Sequence, residues 1–213
     1  MSRFLSICLF LFLLTGCASA PSHGPAVGAS LTDVADVRAR DANGRTALMH
    51  AAGGGYVSLV QALLERGAVV NTADNTGLTP LMLAAAKGHA EMARLLIGAG
   101  ANVNARTRQG DTPLILASLY GQAATVQVLL KHGALVNLRE ANGITALMIA
   151  ADGGNATIVK QLLAHGADVH AATPGGESAM LLAREKGFRA IIELLKQAGA
   201  VEPRGYRPSR EVA

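Results

Sequence analysis

The chain has 213 residues, 50% of them hydrophobic, 3% aromatic and none of them Trp, with a formal net charge of +4. A mild charge with no dense Lys/Arg run excludes nucleic acid as the partner such a chain is built for. The dominance of Ala, Gly and Leu over aromatic and β-branched residues disfavours a sheet sandwich and favours closely packed short helices.

The first element is an export segment. Met1-Ser2-Arg3 supplies a short positive start, and an apolar run follows from Phe4 to Leu14. Eleven residues are too few to span a bilayer, which needs roughly twenty, so the pattern predicts a signal peptide over residues 1–16. Leu14-Thr15-Gly16-Cys17 resembles a bacterial lipobox, in which small residues let a lipoprotein signal peptidase cut before a diacylglycerylated cysteine. Cys17 is then the lipidation site, holding the mature chain on a membrane through its N-terminal lipid. A second reading stays open: Ala18-Ser19-Ala20 fits ordinary signal peptidase and would give a soluble periplasmic product, although Pro21 would follow that cut. Ala18 and Ser19, without the Asp that retains lipoproteins at the inner membrane, resemble an outer-membrane sorting signal, which implies a periplasm-facing lipoprotein of the bacterial envelope.

Cys8 and Cys17 are the only cysteines, so the mature domain has no thiol pair for an internal disulfide and must be held by packing. Residues 17–30, including "PSHGPAVGAS", are rich in Pro, Gly, Ser and Ala and predict a flexible tether. About 180 residues remain, enough for one domain with a sizeable core.

That remainder repeats itself. Gly44, Gly77, Gly110, Gly143 and Gly176 are spaced by 33; so are Gly55, Gly88, Gly121, Gly154 and Gly187; so are Gly67, Gly100, Gly133, Gly166 and Gly199. In the unit from Asp74 to Ala105, Gly77 suits the positive φ of a tight turn and Thr79 caps a helix opening at Pro80, whose missing N–H would have had no partner. The helix is expected to reach about Lys87. Gly88 ends it, and a second helix from about Ala90 carries Met92, Leu95, Leu96 and Ile97 at helical spacing before Gly100.

These units resemble the ankyrin repeat, whose signature opens G-x-T-P-L-H-x-A-A, places G-H between its helices and closes L-L-x-x-G-A-D-V-N. The resemblance runs from about Val34 to Ala200, with openings "TALMHAA" (46–52), "TPLMLAA" (79–85), "TPLILAS" (112–118), "TALMIAA" (145–151) and "SAMLLAR" (178–184). It implies an all-α ankyrin-repeat solenoid of five repeats over 41–201, divided at about 41–73, 74–106, 107–139, 140–172 and 173–201. Residues 34–40 fall in register with 100–106, which makes 31–40 a partial N-terminal cap. Arg184 and Lys196 put charge into columns that are otherwise Ala or Ser and Leu or Ile, as a C-terminal cap facing water requires. Residues 202–213 are expected to be a disordered tail. The family's histidine is replaced by Met49, Met82, Ile115, Met148 and Leu181, so apolar contacts must take over its side-chain hydrogen bonds.

No nucleophile elbow, zinc-protease helix or phosphate loop is present, so the chain is not expected to be an enzyme or to need a cofactor. Gly53-Gly54-Gly55 follows a helix and not a strand, and is expected to be a helix-to-helix turn. His132 and His165 share a column but lack a thiol or paired carboxylate beside them, so they are expected to meet helix-end carbonyls rather than a metal. Met49, Met82 and Met148 alternate with Ile115 and Leu181, which marks core filling and not a ligand row.

The resemblance implies binding of a protein through hairpin tips and the exposed surface of the first helices, which line a concave groove. The corresponding residues are Arg45, Leu78, Lys87, Arg108, Gln109, Asp111, Leu119, Tyr120, Ile144 and Asp152. Leu78 and Ile144 are expected as exposed fingertips, and Arg108 with Tyr120 as the central anchors. The expected function is a lipid-anchored, monomeric interaction module. Resemblance to exported ankyrin proteins associated with catalase implies a role in peroxide defence, with catalase or another envelope protein as partner. An inhibitor or immunity protein that occludes an exported enzyme or toxin would use the same groove.

Overall fold

The computed structural model describes residues 36–201. The signal peptide, Cys17 with its lipobox, the tether, the start of the cap and the tail at 202–213 lie outside the described residues. The chain divides after Asp36, and all the helices below belong to the unit that begins at Val37.

Among the described residues there are ten helices in five pairs: α1 Ala47–Gly54 and α2 Val57–Glu65, α3 Pro80–Lys87 and α4 Ala90–Gly98, α5 Pro113–Leu119 and α6 Ala123–Lys131, α7 Ala146–Asp152 and α8 Ala156–Ala164, α9 Ala179–Glu185 and α10 Arg189–Gln197. No strand forms among them; hairpin loops close through isolated antiparallel bridges at Arg40 with Thr46, Arg139 with Thr145 and Ala172 with Ser178. The result is an all-α repeat solenoid.

Each first helix starts at a hydroxyl residue in extended backbone. Thr46, Thr79, Thr112, Thr145 and Ser178 accept the N–H three residues on at 3.2 to 3.4 Å, satisfying a donor the helix cannot. All three glycine columns adopt positive φ, from +70° at Gly121 to +91° at Gly199. At Gly77 crowding adds to the conformational need, because a Cβ would stand 3.0 Å from Thr107 Cα of the next unit. The triple glycine behaves differently from the expected turn: Gly53 and Gly54 complete α1, and Gly55 alone makes the left-handed cap.

The first helices form one row, α1 on α3 on α5 on α7 on α9, and each also packs on its own second helix. From α4 onward the second helices form a parallel row. Between the rows lies the core, in which Met49, Met82, Ile115 and Met148 are at most 1% exposed. One sulfur does more than fill space: Met82 Sδ accepts the Thr79 N–H at 3.4 Å, a hydrogen bond that apolar replacement of the histidine was not expected to provide.

Candidate functional site

The hairpin tips are built on one residue per unit, namely Asp41, Asp74, Thr107, Glu140 and Thr173, spaced by 33. In each, the N–H of that residue donates to the carbonyl four residues on, and the glycine three on donates back to its carbonyl. Its side chain then accepts backbone N–H groups inside the loop: Asn43 and Arg45 on Asp41, Thr76 and Leu78 on Asp74, Asn142 and Ile144 on Glu140. Where the residue is threonine, its hydroxyl accepts only the N–H of Asp111 or Glu177 and donates to that same residue's carboxylate.

Neighbouring tips are joined by a backbone ladder: Asn75 N–H to Asn43 O at 3.0 Å, Arg108 N–H to Thr76 O at 3.2 Å, and Ala141 N–H to Gln109 O at 2.7 Å. The next rung would start from Pro174, which has no N–H. A second set of bonds pins each loop to the next. Asn71, Asn104 and Asn137 donate to Gly100, Gly133 and Gly166 and accept from the N–H of Asn102, Leu135 and Asp168, at 2.8 to 3.1 Å. Arg40, Arg106 and Arg139 reach carbonyls exactly one unit away at Ala73, Arg139 and Ala172. None of these positioning residues was singled out from the sequence, although their spacing by 33 was a signal that could have found them.

On this frame the ten expected binding residues fall into three groups. Lys87, Arg108 and Gln109 are exposed, and their side chains make no hydrogen bond or ion pair among the described residues. Leu119 and Tyr120 at the end of α5, and Asp111 at the third tip, are half-buried, and Asp111 is close enough for its charge to act on Tyr120. Arg45 and Asp152 are already engaged, Arg45 with Asp74 at 3.1 Å and Asp152 with Lys186 at 3.6 Å.

Leu78 and Ile144 correct the expectation of exposed fingertips, being 4% and 7% exposed. Each stands four residues after its tip residue, and two hydrogen bonds tie its backbone to that residue, so the returning arm turns the apolar side chain inward. Ala86, next to Lys87, is buried too. The contact face therefore narrows to the third tip, the end of α5 and the neighbouring Lys87.

The electrostatics of that face follow from burial. Asp111 shares the inward column of Leu78 and Ile144, and desolvation pushes its carboxyl above the ordinary value against the Thr107 hydrogen bond, with the Glu140 charge adding to the rise. Tyr120 is raised by burial and by Asp111, and its hydroxyl is buried without a hydrogen-bond partner among the described residues. Asp74 goes the other way: burial would raise it, but bonds from Thr76, Arg45 and Leu78 hold it below the usual carboxylate range. His132 and His165 place Nδ1 2.8 Å from the carbonyls of Val128 and Gln161, as expected of helix ends. Among the described residues no group of three His, Cys, Asp or Glu converges as a metal site, and no helix is long and apolar enough to cross a membrane.

No curated protein matches the chain. The family model described as ankyrin repeats (3 copies) matches residues 10–107, 70–140 and 134–204. Those matches cover most of the sequence and coincide with the paired helices and their hairpins, so the chain belongs to the ankyrin-repeat family.

Proposed function

We propose that this chain is a lipid-anchored protein-binding module of the bacterial envelope, gripping its partner through the third hairpin tip and the end of α5. Ankyrin repeats are generic protein–protein interaction modules. The observation that carries the choice of face is the contrast between backbone and side chain there. The backbones of Arg108 and Gln109 are fixed by the inter-tip ladder, while the side chains of Lys87, Arg108 and Gln109 are uncommitted. The fixed backbone loses little entropy on binding, so the ordering cost is confined to the side chains that make the contact. Membrane attachment rests on the sequence Leu14-Thr15-Gly16-Cys17 alone, and catalase, or another envelope protein exposed to peroxide, is the partner class we favour.

Arg108→Ala combined with Tyr120→Ala is expected to weaken capture of the partner from a native envelope at least about tenfold, roughly 1.4 kcal/mol, with the helical circular dichroism unchanged. Unchanged affinity would refute the assignment of the face. Cys17→Ser is expected to release the protein from the membrane fraction, and a variant that still sediments with membranes would refute the anchor. If the captured partner is an enzyme or toxin that loses activity in a one-to-one complex, the module acts as an inhibitor or immunity protein rather than a tether.

A further inference from the structure

Two asparagines of the sequence are followed by glycine, Asn43 by Gly44 and Asn142 by Gly143, and both are exposed on hairpin tips. After every other asparagine the next residue carries a Cβ, which crowds the approach of its backbone nitrogen to the asparagine side chain; glycine leaves that path open. The two tips treat the side-chain amide differently. At the fourth tip Glu140 Oε1 accepts the N–H groups of Asn142 and Ile144, and Oε2 accepts the side-chain amide of Asn142 at 3.1 Å. At the first tip Asp41 Oδ1 accepts the N–H groups of Asn43 and Arg45, but Oδ2 lies 2.9 Å from His50 Nε2. Ile149 stands in the place of His50 in the fourth unit, so only the first tip has its second carboxylate oxygen drawn away. The Asn43 side chain makes no hydrogen bond among the described residues.

We propose that Asn43 is a site of spontaneous deamidation, and that its conversion cuts the first rung of the ladder between tips. The Gly44 nitrogen gives its proton to solvent and attacks Asn43 Cγ; the Cγ–Nδ2 bond breaks, ammonia leaves, and a five-membered succinimide remains. Water then opens the ring at either carbonyl, leaving aspartate or isoaspartate, with no change of oxidation state. The attack requires the Gly44 N–H to leave the Asp41 carbonyl at 2.9 Å, and an equivalent bond of 3.0 Å from Gly143 to Glu140 restrains the fourth tip alike. What separates the two sites is the side-chain amide. The Glu140 carboxylate holds that of Asn142 and repels the negative charge that develops as Cγ is attacked, whereas that of Asn43 is free to turn. Isoaspartate routes the main chain through the side chain, one atom longer, at the very residue whose carbonyl accepts the Asn75 N–H at 3.0 Å, so the rung loses its register. Either product adds a negative charge two residues from Asp41.

The test is to age the full chain at physiological temperature and mildly alkaline pH, folded and in guanidinium chloride, and to follow both sites by peptide mass mapping with isoaspartate detection. In the folded chain Asn43 is expected to convert at least about tenfold faster than Asn142, while in denaturant the two convert within about twofold of each other. The product at Asn43 is expected to contain isoaspartate as well as aspartate. Hydrogen exchange of the Asn75 amide is expected to quicken at least about tenfold in the aged protein and to stay unchanged in aged Asn43→Gln, whose longer side chain closes the corresponding ring far more slowly. Conversion of folded Asn43 no faster than Asn142, the same disparity in denaturant, aspartate as the sole product, or an Asn75 amide that exchanges at its original rate after conversion would each overturn the proposal.

Discussion

Asp74 and Asp111 both belong to hairpin loops, yet their surroundings give them opposite bearings on stability. Asp74 is the tip residue itself, with a side chain 2% exposed that holds the Arg45 guanidinium and two loop N–H groups. Its folded-state pKa is lowered, so the stability it confers is complete above the ordinary carboxylate value of about 3.9 and is lost as pH falls through the folded value. Asp111 stands four residues after its tip, in the inward column, and its pKa is raised. The folded state therefore bears a penalty while Asp111 is charged, and acid relieves it. Urea unfolding is expected to show Asp74→Asn destabilised by about 1–2 kcal/mol at neutral pH, with the deficit shrinking in acid. Asp111→Asn is expected to be more stable than the parent at neutral pH, its advantage also fading in acid. Asp111 is thus a charged group kept at a cost to folding, beside the face proposed to bind. The sequence singled out Asp111 but not Asp74, and could not show their difference, because a shift in pKa depends on which neighbouring N–H groups and charges surround the group in space.

The helices were legible because their signals are local. Threonine caps, Pro80 and Pro113 at first helical positions, and the positive-φ glycines each act within a few residues, and each lies where the pattern of 33 predicts it. What joins one helix pair to the next was not legible, since Asn104 finds Gly133 and Leu135 only after both loops have formed. Asn104→Ala removes both bonds, and chemical denaturation is expected to report a loss of about 1–2 kcal/mol without loss of helix content. A loss indistinguishable from that of an exposed surface substitution would show that the pinning amide adds nothing to inter-unit cohesion. The error at Leu78 and Ile144 has a different, intra-loop cause. Fingertip residues are exposed by position in the repeat, whereas these two are turned inward by bonds to their own tip residues.

Across the molecule, stability is distributed along a line, each pair leaning on its neighbours. The last pair has only one neighbour among the described residues, and the rung that would tie its tip to the fourth is absent at Pro174. Native-state hydrogen exchange is expected to be faster in α9 and α10 than in α5 to α8; equal protection throughout would mean that the unit unfolds only as a whole. The sequence by itself determined the repeat length, the helix pairs, the glycine turns and the family, because each depends on short-range backbone and capping preferences that recur every 33 residues. Only the tertiary structure decided which surface residues are free. Arg45 and Asp152 are drawn into ion pairs, Leu78 and Ile144 are buried, and Lys87, Arg108 and Gln109 stay uncommitted among the described residues. The ion pairs turn on partners about one repeat away in the chain, whose distances in space exist only once the units have stacked, and the inward turn of Leu78 and Ile144 on the closed geometry of their own loops.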